Sequence, residues 1–357
     1  MFKFLHIGLL VFGAAFGISA RAESVLFLNP GSTEEAFWIS YSQFMQSAAR
    51  NLGIDLQILY SQRQPELTLA QARIALQGPS RPDYLVFVNE QYIAPQILRL
   101  AQGSGVKLFM VNAALTPNQQ ALLGERADRI GSLVPNDEEG GYMMMKELIR
   151  LHPPVASDRQ IEVLAFSGLK ITPSAQLREH GMQRALAEHP QVRLRQLVYS
   201  GWTQQRAYEQ ARQLVKRYPE VSLVWSANDE MAFGAMRAFV ETGKTPGKDV
   251  LFSAVNTSPA ALQAVVDGRL SALVGGHFTL GGWALVELHD HELGVDLDQY
   301  GGRDRQIPLL QLVDKAHARQ MLAMGKAPNY DVNFRQLSAK GRPASYRYPF
   351  DLQTLMH

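Results

Sequence analysis

Asn228, Asp229 and Glu230 stand where a strand-like apolar run, 223–226, ends and a helix-like run begins. In open α/β sheets, small ligands bind beyond the carboxyl ends of the strands, next to helix N-termini. Asn228 offers a donor and an acceptor, and Asp229 offers acceptors only, which suits a ligand with hydroxyl or amide groups. The alternative is that residues 226–229 only cap the helix, with Glu230 favourably placed in its first turn.

Aromatic side chains accompany these polar groups. Phe37 and Trp38 are adjacent at a predicted helix start that follows the first predicted strand. An exposed ring can lie flat on the apolar face of a sugar while polar groups bind its hydroxyls. Trp202 follows a glycine in a predicted loop, where a tryptophan more often contacts a ligand than fills a core. One of the first two rings is expected in the core in either case.

Motifs for catalysis or metal binding are not assembled in this sequence. The Gly-Lys-Thr at 243–245 resembles the end of a phosphate-binding loop, but Ala238 replaces the upstream glycine and a helix-like run precedes it. The sequence has no Gly-x-Ser-x-Gly motif for an acyl nucleophile. The His-Asp-His-Glu at 289–292 is the best metal candidate, but consecutive helical residues point in different directions. We therefore expect no enzyme activity, no cofactor and no metal.

Short apolar runs alternate with helix-like segments along most of the chain, a pattern that predicts parallel strands buried on both faces with helical crossovers. Such alternation implies doubly wound sheets with right-handed connections. Two lobes are favoured over one very wide sheet, and the break is expected near 132–136. The nine predicted strands are 25–29, 56–60, 84–89, 106–112, 161–166, 192–199, 221–226, 250–255 and 270–275.

The first 22 of the 357 residues are typical of a secretory signal peptide. Lys3 precedes an apolar run at 7–18, and Ala-Arg-Ala at 20–22 offers a cleavage site before Glu23. The run is shorter than the roughly 20 residues that span a bilayer. Without Lys3 and Arg21, 33 of the 35 basic residues remain, against 33 acidic ones, so the balance argues against nucleic acid as a partner. There are no cysteines, which excludes disulfides and thiolate chemistry. We expect a periplasmic location.

The run Asn-Asp-Glu-Met-Ala-x-Gly-Ala from Asn228 resembles the strand-to-helix turn of type I periplasmic binding proteins. These are the ribose- and galactose-binding solute-binding components of ABC transporters, and the group includes an autoinducer-receptor branch. The resemblance extends from about residue 25 to about residue 313. It implies an α/β fold of two doubly wound parallel-sheet lobes joined by a three-strand hinge. By this resemblance the N-terminal lobe is 23–133 plus 278–309, and the C-terminal lobe is 134–277 plus 310–357 with a C-terminal extension.

The same resemblance suggests ligand-contacting positions in both lobes. Phe37 and Trp38 match an aromatic pair that sandwiches the ligand, and Trp202 matches a ring that closes over it. Asn112 and Asn256 stand where sugar binders commonly carry aspartate, so the pocket is expected to be less negative than that of a ribose binder. The resemblance also suggests a ligand-contacting arginine, for which the alignment offers Gln176 or Arg178, with Arg178 favoured. It further suggests Asn228 and Asp229 in the turn itself and His277 beside the position of a ligand-contacting glutamine.

We therefore expect a periplasmic solute-binding protein that closes on a small polar, sugar-like ligand. In one hypothesis it delivers the ligand to an inner-membrane ABC permease. In the other it signals ligand occupancy to a membrane sensor protein, such as a histidine kinase or chemoreceptor. The altered aspartates and the long tail favour sensing without deciding between the two.

Overall fold

The computed structural model describes residues 22–154, 156, 159–324 and 330–355. The predicted signal peptide, except its last residue, lies outside these described residues. Twelve strands follow in chain order: β1 Ser24–Asn29, β2 Asp55–Tyr60, β3 Tyr84–Phe87, β4 Lys107–Val111, β5 Arg129–Pro135, β6 Ile161–Ser167, β7 Val192–Tyr199, β8 Leu223–Ser226, β9 Leu251–Val255, β10 Ala272–Gly275, β11 Asp304–Ile307 and β12 Gln311–Leu312.

Eleven α-helices within the described residues connect or cover these strands. They are α1 Ala36–Leu52, α2 Pro65–Gln77, α3 Ala94–Ala101, α4 Pro117–Leu123, α5 Asp137–Leu151, α6 Pro173–Ala187, α7 Gln204–Arg217, α8 Asp229–Val240, α9 Pro259–Asp267, α10 Leu280–Glu292 and α11 Lys315–Met324. In this part of the chain, no helix is both long enough and apolar enough to span a membrane.

The strands form two six-stranded sheets, with orders β11-β5-β4-β3-β1-β2 and β12-β10-β9-β8-β6-β7. All pairings are parallel except that of β12 with β10. The central strands β3, β8 and β9 are buried at every position, because helices cover both faces of each sheet. The predicted α/β fold of two doubly wound lobes is confirmed.

The chain passes between the two sheets three times before its tail. It leaves the first sheet after β5, returns after β10 to α10, which packs on β4 and β5, and leaves again after β11. The sequence analysis did not predict β5, β11 and β12 as strands. β11 is a short sheet-edge strand with exposed polar residues, β12 is an edge strand of only two residues, and β5 contains a glycine and ends in a proline. These features weaken the apolar pattern on which strand prediction depends.

The C-terminal extension differs from its predicted placement in the second lobe. Its first part agrees, because α11 packs on α9. Between Phe334 and Phe350 the segment instead packs on the first lobe, where the ring of Phe334 contacts the rings of Phe44 on α1 and Trp283 on α10. The carboxylate of Asp290 on α10 accepts hydrogen bonds from the Ser338 hydroxyl, the Ala339 amide and the Tyr348 hydroxyl. Further along the tail, the ring of Phe350 stacks on that of Trp283 with ring centres 5.3 Å apart. The tail therefore covers a buried acidic and aromatic surface of α10 that would otherwise face water.

Candidate functional site

One cavity lies between the lobes, beyond the carboxyl ends of the strands of both sheets. Nine of the ten predicted ligand-binding residues line it: Phe37, Trp38, Asn112, Arg178, Trp202, Asn228, Asp229, Asn256 and His277. Asn112, Asn228 and Asn256 follow the ends of β4, β8 and β9, whereas Phe37 and Trp38 lie on α1 and Arg178 lies on α6. Polar residues at the carboxyl edge of a parallel sheet face the same space. That they contact a ligand remains a prediction, but the structure brings them together.

Gln176 does not line this cavity. It lies on α6 and lines a neighbouring cavity instead, where its Oε1 accepts a hydrogen bond from the hydroxyl of Tyr92 across the cleft. Residues two apart on a helix point in opposite directions, so only one of Gln176 and Arg178 can face the site. The structure places Arg178 there.

The guanidinium of Arg178 is buried and held on three sides. Its Nε donates to Asp137 Oδ1 at 2.7 Å, one terminal nitrogen donates to the Ala227 carbonyl at 2.7 Å, and the other lies 3.3 Å from Nε2 of His277. Burial raises the pKa of Asp137, and the positive charge of Arg178 opposes that rise. This buried ion pair therefore holds the guanidinium of Arg178 in a fixed position in the cavity wall.

His277 is a buried neutral imidazole. Burial lowers its pKa well below the ordinary 6.5, and the charge of Arg178 lowers it further. Because a guanidinium can only donate, Nε2 of His277 must accept, which leaves the ring proton on Nδ1. The ring stacks on Phe37 with centroids 4.5 Å apart, and Nδ1 has no partner within the described chain. His277 therefore presents a hydrogen-bond donor at the cavity.

Asn228 caps a helix, whereas Asp229 keeps a carboxylate oxygen that has no partner. The Oδ1 of Asn228 caps α8 by accepting from the Met231 amide at 2.9 Å, and its Nδ2 donates to the Trp202 carbonyl at 3.1 Å. Asp229 Oδ1 accepts from Asn256 Nδ2 at 2.8 Å, whereas its Oδ2 is buried without a partner. Burial raises the pKa of Asp229. The capping interpretation thus holds for Asn228, and Asp229 keeps a free acceptor.

Three of the predicted ligand-binding residues have left-handed backbone conformations. The φ angles are 64° at Asn112, 69° at Trp202 and 96° at Asn256. Such conformations cost a non-glycine residue free energy and cluster at ligand-binding sites. The indole of Trp202 lies against Gly168, where an added Cβ would meet the ring at 2.1 Å. The Nε1 of Trp202 and the Oδ1 of Asn112 are buried without partners.

The profile of the periplasmic binding protein domain matches residues 25–293, well over half of the chain. The chain belongs to the periplasmic binding protein family. A solved periplasmic sugar-binding protein from Pseudomonas fluorescens is 61% identical, with a TM-score of 0.89, and the match covers 94% of this chain and 99% of that one. The Escherichia coli (strain K12) ribose import binding protein RbsB is 26% identical over 275 residues, 73% of this chain and 82% of RbsB. The galactofuranose-binding protein YtfQ of the same strain is 22% identical over 289 residues, 77% of this chain and 84% of YtfQ.

The site of this periplasmic binding protein also contains residues that the sequence analysis did not select. Glu35, Arg63, Glu90, Asp137 and Glu230 all line the cavity. They add five charges to the two of Arg178 and Asp229, so five carboxylates face two guanidinium groups. The cavity is therefore more acidic than the replacement of two aspartates by Asn112 and Asn256 suggested. Burial, together with the nearby charges of Asp229 and Glu35, raises the pKa of Glu230.

Arg63 links the two lobes of the binding protein. It follows β2 with a φ of 59° and pairs with Glu35 at 2.5 Å and Glu90 at 2.9 Å. Its guanidinium carbon lies 5.8 Å from the ring centre of Trp38 and 5.9 Å from that of Trp202, within the range of cation–π attraction. Arg63 is thus a first-lobe cation that meets a second-lobe ring at the cleft.

Replacing Arg63 with lysine should weaken ligand binding about tenfold, a loss of about 1.4 kcal/mol. Lysine keeps the positive charge but lacks the planar fork that binds two carboxylates and stacks on indoles. Calorimetric titration with a sugar that binds the wild type would measure the loss. Arg99→Lys, at an exposed position on α3, is the matched control and should bind normally. Equal ligand affinity in Arg63→Lys and wild type would show that the planar guanidinium of Arg63 does not contribute to ligand binding.

His277 makes the stability of the ligand-free protein depend on pH. Its folded pKa is lowered, so below pH 6.5 the unfolded chain binds a proton that the folded protein does not. Stability should therefore fall as the pH decreases from 6.5 towards the folded pKa. Between about pH 7.5 and about pH 5.5 the wild type should lose about 1.4 kcal/mol more than His277→Gln. Urea unfolding at both pH values would measure this, and equal losses would show that His277 protonates in the folded state.

The His-Asp-His-Glu run at 289–292 does not converge on one point. His289 approaches Glu23, Asp290 binds the tail, and His291 lies 2.7 Å from the Tyr84 hydroxyl. Across the described residues, no group of three or more His, Cys, Asp or Glu side chains is arranged to hold a metal ion.

Proposed function

We propose that this protein binds a small sugar-like ligand in the cleft and delivers it to an ABC importer. The observation that carries the proposal is that five of the buried polar atoms without partners in the described chain belong to residues that line one cavity. Unpaired buried polar atoms cost about 1–3 kcal/mol each, and native proteins contain few of them. The acceptors are Asn112 Oδ1 and Asp229 Oδ2, and the donors are Trp38 Nε1, Trp202 Nε1 and His277 Nδ1.

A polyol with apolar ring faces satisfies this set. Its hydroxyls can donate to the two acceptors and accept from the three donors, while Phe37 and the two indoles offer flat surfaces. The names of RbsB, YtfQ and the Pseudomonas fluorescens protein support a sugar as the ligand. Both lobes contribute predicted ligand-contacting residues to such a site, and Gln176 is the one predicted residue that does not take part.

Closure follows from these contacts. Phe37, Trp38 and Asn112 approach the ligand from the first lobe, and Arg178, Trp202 and Asp229 approach it from the second. A ligand that touches both lobes binds the closed state better than the open one, and only such a difference shifts the equilibrium. The lobe boundaries given above remain a prediction about which residues move together.

The family supports a proposal for the partner and the location. RbsB is an import binding protein, which supports an inner-membrane ABC permease as partner and the periplasm as location, with residues 1–22 as the signal peptide. Neither a cofactor nor catalysis is needed for this role. The relatives named above are sugar-binding proteins by name, and none of them supports the signalling alternative.

A thermal-shift screen over pentoses, hexoses and polyols tests the proposal. A ligand at about one hundred times its dissociation constant should add about 2.7 kcal/mol to the folded state. Asp229→Asn should lose most of this stabilisation, because the amide replaces the free acceptor Oδ2 with a donor in one orientation and weakens it in the other. Asp267→Asn, at the exposed end of α9, is the control. A screen in which no sugar or polyol stabilises the wild type would overturn the proposed function.

A further inference from the structure

A second cavity adjoins the candidate ligand site. The two cavities share three lining residues, Asn112, Ala113 and Pro173, so they meet where the loop after β4 faces the start of α6. Both lobes contribute walls to the second cavity, as they do to the first. It therefore exists as a bounded space only when the lobes are together.

The junction between the cavities is set by a small side chain. Ala113 is buried, and its backbone is fixed because its amide donates to the Val111 carbonyl at 2.7 Å and its carbonyl accepts from the Asn89 amide at 3.0 Å. The width of the passage consequently depends on the size of the residue at position 113. A larger side chain there would occupy space that both cavities border.

The second cavity differs in character from the first. Its walls are mainly apolar, whereas carboxylates, guanidinium groups and amides dominate the first. Leu177 on α6 remains 37% exposed although it lies on this wall. Exposed apolar surface inside a cleft indicates contact with an apolar group. The apolar wall residues include Ala113, Leu115, Pro117, Pro135, Pro173 and Leu177.

A hydrogen bond between the lobes closes one side of this space. The Tyr92 hydroxyl of the first lobe donates to Gln176 Oε1 of the second, and the Gln176 side-chain nitrogen donates to the Lys170 carbonyl at 2.9 Å. Gln176, which the sequence analysis placed in the ligand site, therefore borders the second cavity. Its amide groups are engaged with protein partners, and the rest of the lining is mainly apolar, with the exposed His180 and Gln306 among its polar members.

We infer that the ligand of this protein is a glycoside, with a sugar ring in the first cavity and an apolar or aromatic substituent on its anomeric oxygen in the second. This inference rests on the proposed function and specifies its substrate class. The polar ring satisfies the unpaired atoms of Asn112, Asp229 and His277. The substituent passes Ala113 and packs against Leu177 and its apolar neighbours.

The test compares free pentoses and hexoses with their α- and β-phenyl glycosides by calorimetric titration of the full-length mature protein. At least one phenyl glycoside should bind tenfold or more tightly than its parent sugar. Ala113→Leu should remove this preference by filling the passage, and because Ala113 borders both cavities it should also weaken the parent sugar, so the readout is the ratio of the two affinities. Ala113→Gly, which keeps the passage open, is the matched control and should retain the preference. Leu177→Asn gives a second reading at a half-exposed position, where the fold should tolerate the change, and should reduce the preference.

The outcomes separate the two proposals. If no free sugar and no glycoside binds the wild type, the proposed function fails and this inference fails with it. If free sugars bind but every phenyl glycoside binds equally or more weakly, the function stands and the inference is overturned. The inference is also overturned if Leu177→Asn and a folded Ala113→Leu both keep the preference for the glycoside. If Ala113→Leu does not fold, an unchanged preference in Leu177→Asn alone overturns it.

Discussion

Arg178→Met should lower the free energy of unfolding by about 3–5 kcal/mol, the cost of leaving one member of a buried ion pair without its partner. Asp137 is the member left behind: its side chain is 2% exposed, and that of Arg178 is 5% exposed. The substitution also removes the donor to the Ala227 carbonyl. Urea unfolding of the ligand-free protein, monitored by circular dichroism, would measure the change.

Arg184→Met on the same helix is the matched control. Arg184 pairs with Glu138 and Glu139, but its side chain is 43% exposed, and exposed ion pairs contribute only about 0–1 kcal/mol. Combining Arg178→Met with Asp137→Asn should recover part of the lost stability, because the stranded charge is then absent. A loss below about 1 kcal/mol in Arg178→Met would show that the Asp137 carboxylate escapes burial, contrary to the assigned geometry.

Trp202→Ala should weaken binding of a sugar ligand about 100-fold, or about 2.7 kcal/mol, while the ligand-free protein stays folded. The indole is only partly buried and lies between two cations, with Arg63 at 5.9 Å and Arg178 at 5.8 Å from its ring centre. Truncation removes a flat surface of the kind that dominates binding energies. Calorimetric titration gives the affinity, and thermal unfolding gives the stability.

The control for this second result is Trp225→Ala. Trp225 is fully buried in β8, so its truncation should cost about 3–5 kcal/mol of stability. If Trp202→Ala instead unfolds the ligand-free protein as readily as Trp225→Ala does, Trp202 is a core residue and its assignment to the ligand site is wrong.

Much of the site was predictable because its residues follow apolar runs along the chain. Asn112, Asn228 and Asn256 each come directly after or one residue beyond a buried strand, and parallel strands bring such positions to one edge. The sequence could not distinguish Gln176 from Arg178, because the choice depends on which face of α6 meets the other lobe.

Arg63 was not predictable for a related reason. Its role depends on a left-handed backbone at Gln62 and Arg63 and on pairing with Glu35 and Glu90, which lie 28 and 27 residues away. Nothing local in the sequence specifies either feature. The Gln-Arg-Gln after the predicted strand at 56–60 was the only available signal. The path of the tail onto α10 likewise depends on long-range aromatic packing.

The tail has a practical consequence for measuring closure by fluorescence. β1 lies in the first sheet, and Phe350 stacks on Trp283 of α10, which packs on the same sheet. Dyes attached near Ser24 and near Phe350 would therefore move with one lobe and keep a nearly constant separation during closure. A sensitive energy-transfer pair needs one dye on the first lobe and the other on the second, for example at the exposed Lys248.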